Sequence, residues 1–146
     1  MAMKKISNDQ LAFLLARLTI GINFLIHGGI RIPKFSSFAG GVIKEFQGTY
    51  LPEFLVSGFA YTLPFFEFII GLMLILGLKT RFFAAAGAIL IAVLVFGSGV
   101  KEDWTAVGSQ MIYALFFFIL IKNLEHNVFA VDSKPKKIID GFKTQK

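Results

Sequence analysis

The chain has 146 residues, 55% of them hydrophobic and 18 of them Phe, and carries a formal net charge of +6. That is too apolar for a soluble domain of this length. There is no cysteine, which excludes thiol–disulfide exchange, iron–sulfur clusters and thiolate metal sites within this chain.

A helix needs roughly 17–25 apolar residues to cross a bilayer. Four stretches meet that length: Leu11–Ile30, Leu55–Leu78, Phe82–Val100 and Trp104–Ile121. The fold class expected is therefore all-α: a polytopic membrane protein, one domain over residues 1–146, built as a four-transmembrane-helix bundle. The first stretch is too long for the apolar region of a cleavable leader, and no small-residue cleavage site follows it. Ser7 and Gln10 have capping-box spacing and mark its start. Pro33 blocks its continuation. In the connection that follows, Phe38, Val42, Ile43 and Phe46 recur at helical spacing, consistent with a short helix lying in the interface or with an irregular loop packed over the bundle. Pro64 frees the carbonyl of Ala60 in the second stretch, so a kink is expected there. Gly77 and Lys79-Thr80-Arg81 make a tight hairpin. Ala84, Ala85, Ala86, Gly87 and Ala88 open the third stretch and predict the closest helix packing. Asp103 is placed to cap the fourth, which ends near Lys122-Asn123 and leads into a basic tail over residues 122–146.

Charge gives an orientation. Ten basic residues and four acids fall at the chain start, the second hairpin and the tail, leaving the whole +6 on that side. By the positive-inside rule that side, with both termini, is cytoplasmic. The high charge reports anionic headgroups, not nucleic acid.

Two charges lie inside the apolar stretches, Arg17 and Glu67. Each costs roughly 3 kcal/mol near a bilayer centre, so each needs a partner or a task. With the two spans centred on one plane, Glu67 falls near the middle and Arg17 about 5 Å below it. They are expected to form a structural ion pair or a proton relay. At 100° per residue, Arg17, Asn23, His27 and Arg31 share an arc of roughly 120°. Gln110 shares its face of the fourth stretch with Tyr113. Asn23, His27, Gln110 and Tyr113 are therefore the candidate ligand-binding residues of a polar pocket. Every member has a plainer reading. Asn23 and Gln110 serve equally as interhelical hydrogen-bond glue, and Arg31 as an interfacial anchor. His27 and His126 fall at opposite ends and cannot share a metal, and no His/Asp/Glu cluster has ligand spacing on any span. No metal site is expected.

Pro64 to Arg81, PFFEFIIGLMLILGLKTR, carries a membrane glutamate, a following glycine, an apolar run and a Gly-Leu-x-Thr-Arg turn. The opening ARLTIGINFLIHGGIRIPKF has an early arginine and a His-Gly near its far end. Together these resemble the DoxX family of small bacterial four-helix membrane proteins, related to the DoxD membrane subunit of thiosulfate:quinone oxidoreductase. The resemblance, over Leu11 to Asp132, implies a bacterial inner-membrane protein near redox or quinone-linked enzymes. Arg17, His27 and Glu67 match recurring polar positions. Three functions fit. One is an accessory, non-catalytic subunit that packs against other membrane subunits or itself. The second is a quinone-interacting component of an oxidoreductase, with no cofactor built in and a quinone as diffusible ligand. The third is a small-molecule or lipid transporter, disfavoured by the lack of inverted repeats.

Overall fold

The computed structural model describes residues 6–133. Five α-helices follow one another: α1 Asn8–Arg31, α2 Phe35–Glu45, α3 Glu53–Leu76, α4 Thr80–Val100 and α5 Trp104–Lys122. No strand occurs among the described residues. Four helical stretches are long and apolar enough to cross a membrane, α1 and α2 counting as one of them. The expected capping box is present: Ser7 Oγ accepts from the Gln10 backbone N–H, and Gln10 Oε1 accepts from that of Ser7. Asp103 caps α5 by accepting from the backbone N–H of Ala106. Gly77 ends α3 in the left-handed conformation, which a glycine adopts without steric cost. Pro64 sits buried within α3, which runs unbroken past it.

The bundle is two antiparallel pairs, α1 with α3 and α4 with α5, more closely joined within than between. The tightest approach is not in α4, as its alanines suggested, but between α1 and α3. Gly28 lies against the backbone of Pro64 and Phe68, and Gly71 against that of Leu25 and Gly21. A Cβ at Gly28 or Gly71 would collide with main chain, so these glycines set the register of the pair. Gly87 of α4 admits the ring of Phe117, which meets Phe24 edge to face at 5.3 Å. This contact joins the two pairs.

The connection after α1 holds the short helix that its periodicity suggested, and this helix packs over the bundle. One 3-10 turn, Ile32–Lys34, redirects the chain, and α2 then packs along the first half of α3. Ala39 is fully buried, and Phe35 stacks edge to face with Tyr61 and Phe65. Residues 124–133, at the start of the basic tail, fold back across the α3–α4 turn. Val131 and Asp132 donate backbone N–H groups to the carbonyls of Leu76, the last residue of α3, and of Gly77, which follows it. Asp132 then accepts from the backbone N–H of Thr80 at 2.8 Å, capping α4 from 52 residues away. Unmet carbonyls at one helix end and unmet N–H groups at the next drive this docking. The remainder of the basic tail lies outside the described residues.

Candidate functional site

Arg17 and Glu67 do not pair. Arg17 is almost fully buried against Gly77, ten residues and about 15 Å along α3 from Glu67. Its guanidinium donates to Asn127 Oδ1 at 3.1 Å and to the Phe129 carbonyl at 2.6 Å. Asn127 in turn donates to Thr80 Oγ1 at 2.9 Å. The cation is held by neutral oxygens of the folded-back segment, with the docked Asp132 close by. That carboxyl is held below its usual range, chiefly by hydrogen bonds from the backbone of Lys79 and Thr80.

Glu67 takes Arg31 instead. Both carboxylate oxygens accept from Arg31 Nη1, at 2.7 and 2.6 Å. The Glu67 side chain is 6% exposed and that of Arg31 28%. His27 Nδ1 stands 3.9 Å from Glu67 Oε1, and the Arg31 guanidinium lies over the ring of Phe38 at 4.7 Å. The expected pairing fails because the two spans are not centred on one plane. The glycine contacts stagger α3 against α1, so the last turn of α1 reaches the middle of α3.

Above this ion pair the two helix pairs enclose a cavity of about 520 Å³. All four candidate residues, Asn23, His27, Gln110 and Tyr113, line it, as do Arg31 and Glu67. Arg17 does not. The stripe predicted on α1 is therefore split. Its last three members face the cavity, and its first is buried at the opposite end. Gln110 donates Nε2 to Ser98 Oγ at 2.9 Å. Its Oε1 is buried with no hydrogen-bond partner.

At the far end, Lys101, just after α4, meets Glu45 of α2 at 2.5 Å and lies over the ring of Phe46 at 5.1 Å. That ring packs on Gly97. Lys101, Glu45, Phe46 and Gly97 all line the cavity, together with Asp103 and Ala106 at the start of α5. Apolar side chains such as Phe24, Phe59, Leu63, Ile91 and Leu94 make the walls. A cavity of this size, mostly apolar with a few convergent polar groups, has the form of a small-molecule site. Among the described residues no group of His, Asp and Glu is arranged to hold a metal ion.

Sequence reasoning missed Ser98, Lys101 and Glu45 as cavity residues. Ser98 carried a signal, being the first polar side chain on an otherwise apolar span. Lys101 and Glu45 carried none, since each reads alone as an ordinary interfacial charge. Asn127 and Asp132 escaped because their role depends on a fold-back that no local pattern announces.

No match was found among curated proteins, and none among solved structures. Residues 12–98, more than half of the chain, match the DoxX family model. With four membrane-length helices arranged as described, the chain is a multi-pass membrane protein and belongs to the DoxX family.

Proposed function

We propose that this protein is the quinone-interacting membrane component of a bacterial inner-membrane oxidoreductase, with the cavity as its binding site. The observation that carries the reading is the half-buried Arg31–Glu67 ion pair at the floor of an aromatic-walled cavity, with His27 beside it. A charged residue such as Glu67 within a membrane span is expensive to maintain, and its placement at a cavity is a functional signal. Reduction of a quinone to a quinol takes two electrons and two protons. Glu67 and His27 are the proton-exchanging groups placed to serve the ring, while the guanidinium of Arg31 is placed to donate to a carbonyl oxygen. The electrons come from a partner oxidoreductase. The absence of cysteine favours that division of labour, because this chain offers no thiol to a sulfur substrate.

Orientation follows from charge. Lys79, Arg81 and Lys122 lie at the same end of the bundle as the start of α1 and the fold-back segment. By the positive-inside rule that end is cytoplasmic, and the cavity belongs to the outer half.

The test uses the single tryptophan. Trp104 is 68% exposed and adjoins Asp103 at the cavity rim. A short-tailed alkyl benzoquinone should quench its fluorescence saturably in the purified protein, and His27→Ala and Glu67→Gln should each weaken that binding by tenfold or more. Linear, unsaturable quenching that ignores both substitutions would refute the reading.

A further inference from the structure

The cavity lining is sorted by chemistry between its two sides. Of the residues that α1 and α5 contribute, only Phe24 and Ala106 are apolar; of those from α3 and α4, only Glu67 and Ser98 are polar. On α3 the order is regular. Leu55, Phe59, Leu63 and Glu67 follow at four-residue intervals and share one face, so an apolar ladder leads away from the ion pair in steps of about 6 Å. Val93 and Phe96 of α4 line the same cavity. Counted from the turn that joins the two helices, Leu63 and Val93 stand at one height, about 20 Å along.

This side is also open. α3 and α4 join less closely than either does with its pair partner, although a tight turn connects them. Leu55, Val93 and Phe96 line the cavity and are at the same time 55%, 44% and 57% exposed. These three lie on membrane-spanning helices, so what they face is lipid. The end of the cavity remote from the ion pair is bridged, where Lys101 holds Glu45 and Phe46 packs on Gly97.

An apolar groove continuous with a ligand cavity at one side and with lipid at the other suits one occupant, the hydrocarbon tail of a ligand whose head fills the cavity. In the seam between α1 and α5 the same tail would cover His27 and Ser109 with hydrocarbon, at a cost in their solvation. We infer that the cavity takes an amphipathic lipid, its ring on the polar side formed by α1 and α5, and that its apolar tail leaves sideways between α3 and α4 into the bilayer. This rests on the reading of the cavity as a quinone site and adds the tail, its path and the entry of the ligand from the lipid.

Two measurements on the purified full chain test the path. The first uses a benzoquinone with a decyl tail that carries a photoreactive diazirine midway, and maps the labelled residues by mass spectrometry. Labelling should fall on residues 55–63 of α3 and 93–97 of α4, and an excess of the tailless ring should suppress it. The second narrows the seam with Val93→Phe, at a lipid-facing position that tolerates a larger side chain. By saturable quenching of Trp104, the decyl quinone should bind about tenfold more weakly than to the parent, and the tailless ring within about twofold of it. Partition of the tail into detergent is common to parent and variant and cancels in the ratio. Suppressible labelling on α1 and α5 instead, or a Val93→Phe protein in which both quinones change alike or neither changes, would overturn the inference while leaving the quinone site standing. Labelling that the tailless ring nowhere suppresses would overturn both.

Discussion

Two arginines on one helix meet burial in opposite ways. Arg17, at the α3–α4 turn, is nearly inaccessible and is held by an amide oxygen and a main-chain carbonyl. Arg31, at the other end of α1, is only partly buried and is held by a carboxylate beside an open cavity. The first end is sealed: a remote segment satisfies the end of α3, caps α4 and closes over the guanidinium. The second end is hollow, and its polar groups face space. Arg17 lines no part of the cavity and its Nε is buried without a partner, whereas Arg31 stands at the cavity with its carboxylate. On that placement Arg17 is scaffold and Arg31 belongs to the site.

Substitutions can break this comparison at either end. The largest effect is expected from Glu67→Gln, which leaves Arg31 without its counter-ion and should cost about 3 kcal/mol, read as lower folded yield and a lower melting temperature in detergent. A variant as stable as the parent would show that the pair is not energetically coupled. Gly28→Ala comes next. Its Cβ meets the main chain of Pro64 and Phe68, so α1 and α3 must separate, at about 2 kcal/mol. Because that register brings Arg31 to Glu67, quinone binding should fall with stability. Arg17→Met leaves the Phe129 carbonyl and the Asn127 amide without their donor. It should cost about 2 kcal/mol and, unlike the other two, leave quinone affinity within twofold. A large loss of affinity would mean the sealed end communicates with the cavity.

Asp132→Ala is the mildest, at about 1 kcal/mol for loss of a helix cap. It also predicts a pH effect. The folded-state carboxyl titrates below its ordinary value of 3.8, so its contribution is complete above that pH and is lost as pH falls through the lower folded value. Parent and Asp132→Ala stabilities should therefore converge in strong acid.

Much of this was legible in the residues. Apolar run length located the four spans, and Ser7, Gln10 and Asp103 announced their caps. The 100° spacing that grouped Asn23, His27 and Arg31 identified a face that lines the cavity, and the shared face of Gln110 and Tyr113 supplied the opposing wall. Partner choice was not legible. Angular position is fixed by sequence spacing, but relative depth depends on how two helices slide, and that is settled by backbone contacts at Gly28 and Gly71. A stagger of a few turns exchanged Arg17 for Arg31. α2 was legible as a short helix from the spacing of Phe38, Val42, Ile43 and Phe46, and its packing along α3 was not. The fold-back of residues 124–133 is a long-range docking event, and its signature is a single Asp far in sequence from the N–H it caps.

The claim that the Arg31–Glu67 pair is the floor of a ligand site, and not merely an interhelical fastening, has a direct test. Replacing both residues together, as Arg31→Leu with Glu67→Leu, removes the pair without stranding either charge and should leave thermal stability within about 1 kcal/mol of the parent. Saturable quenching of Trp104 by the benzoquinone should be lost in that protein. A double variant that folds like the parent and binds the quinone with parental affinity would contradict the account.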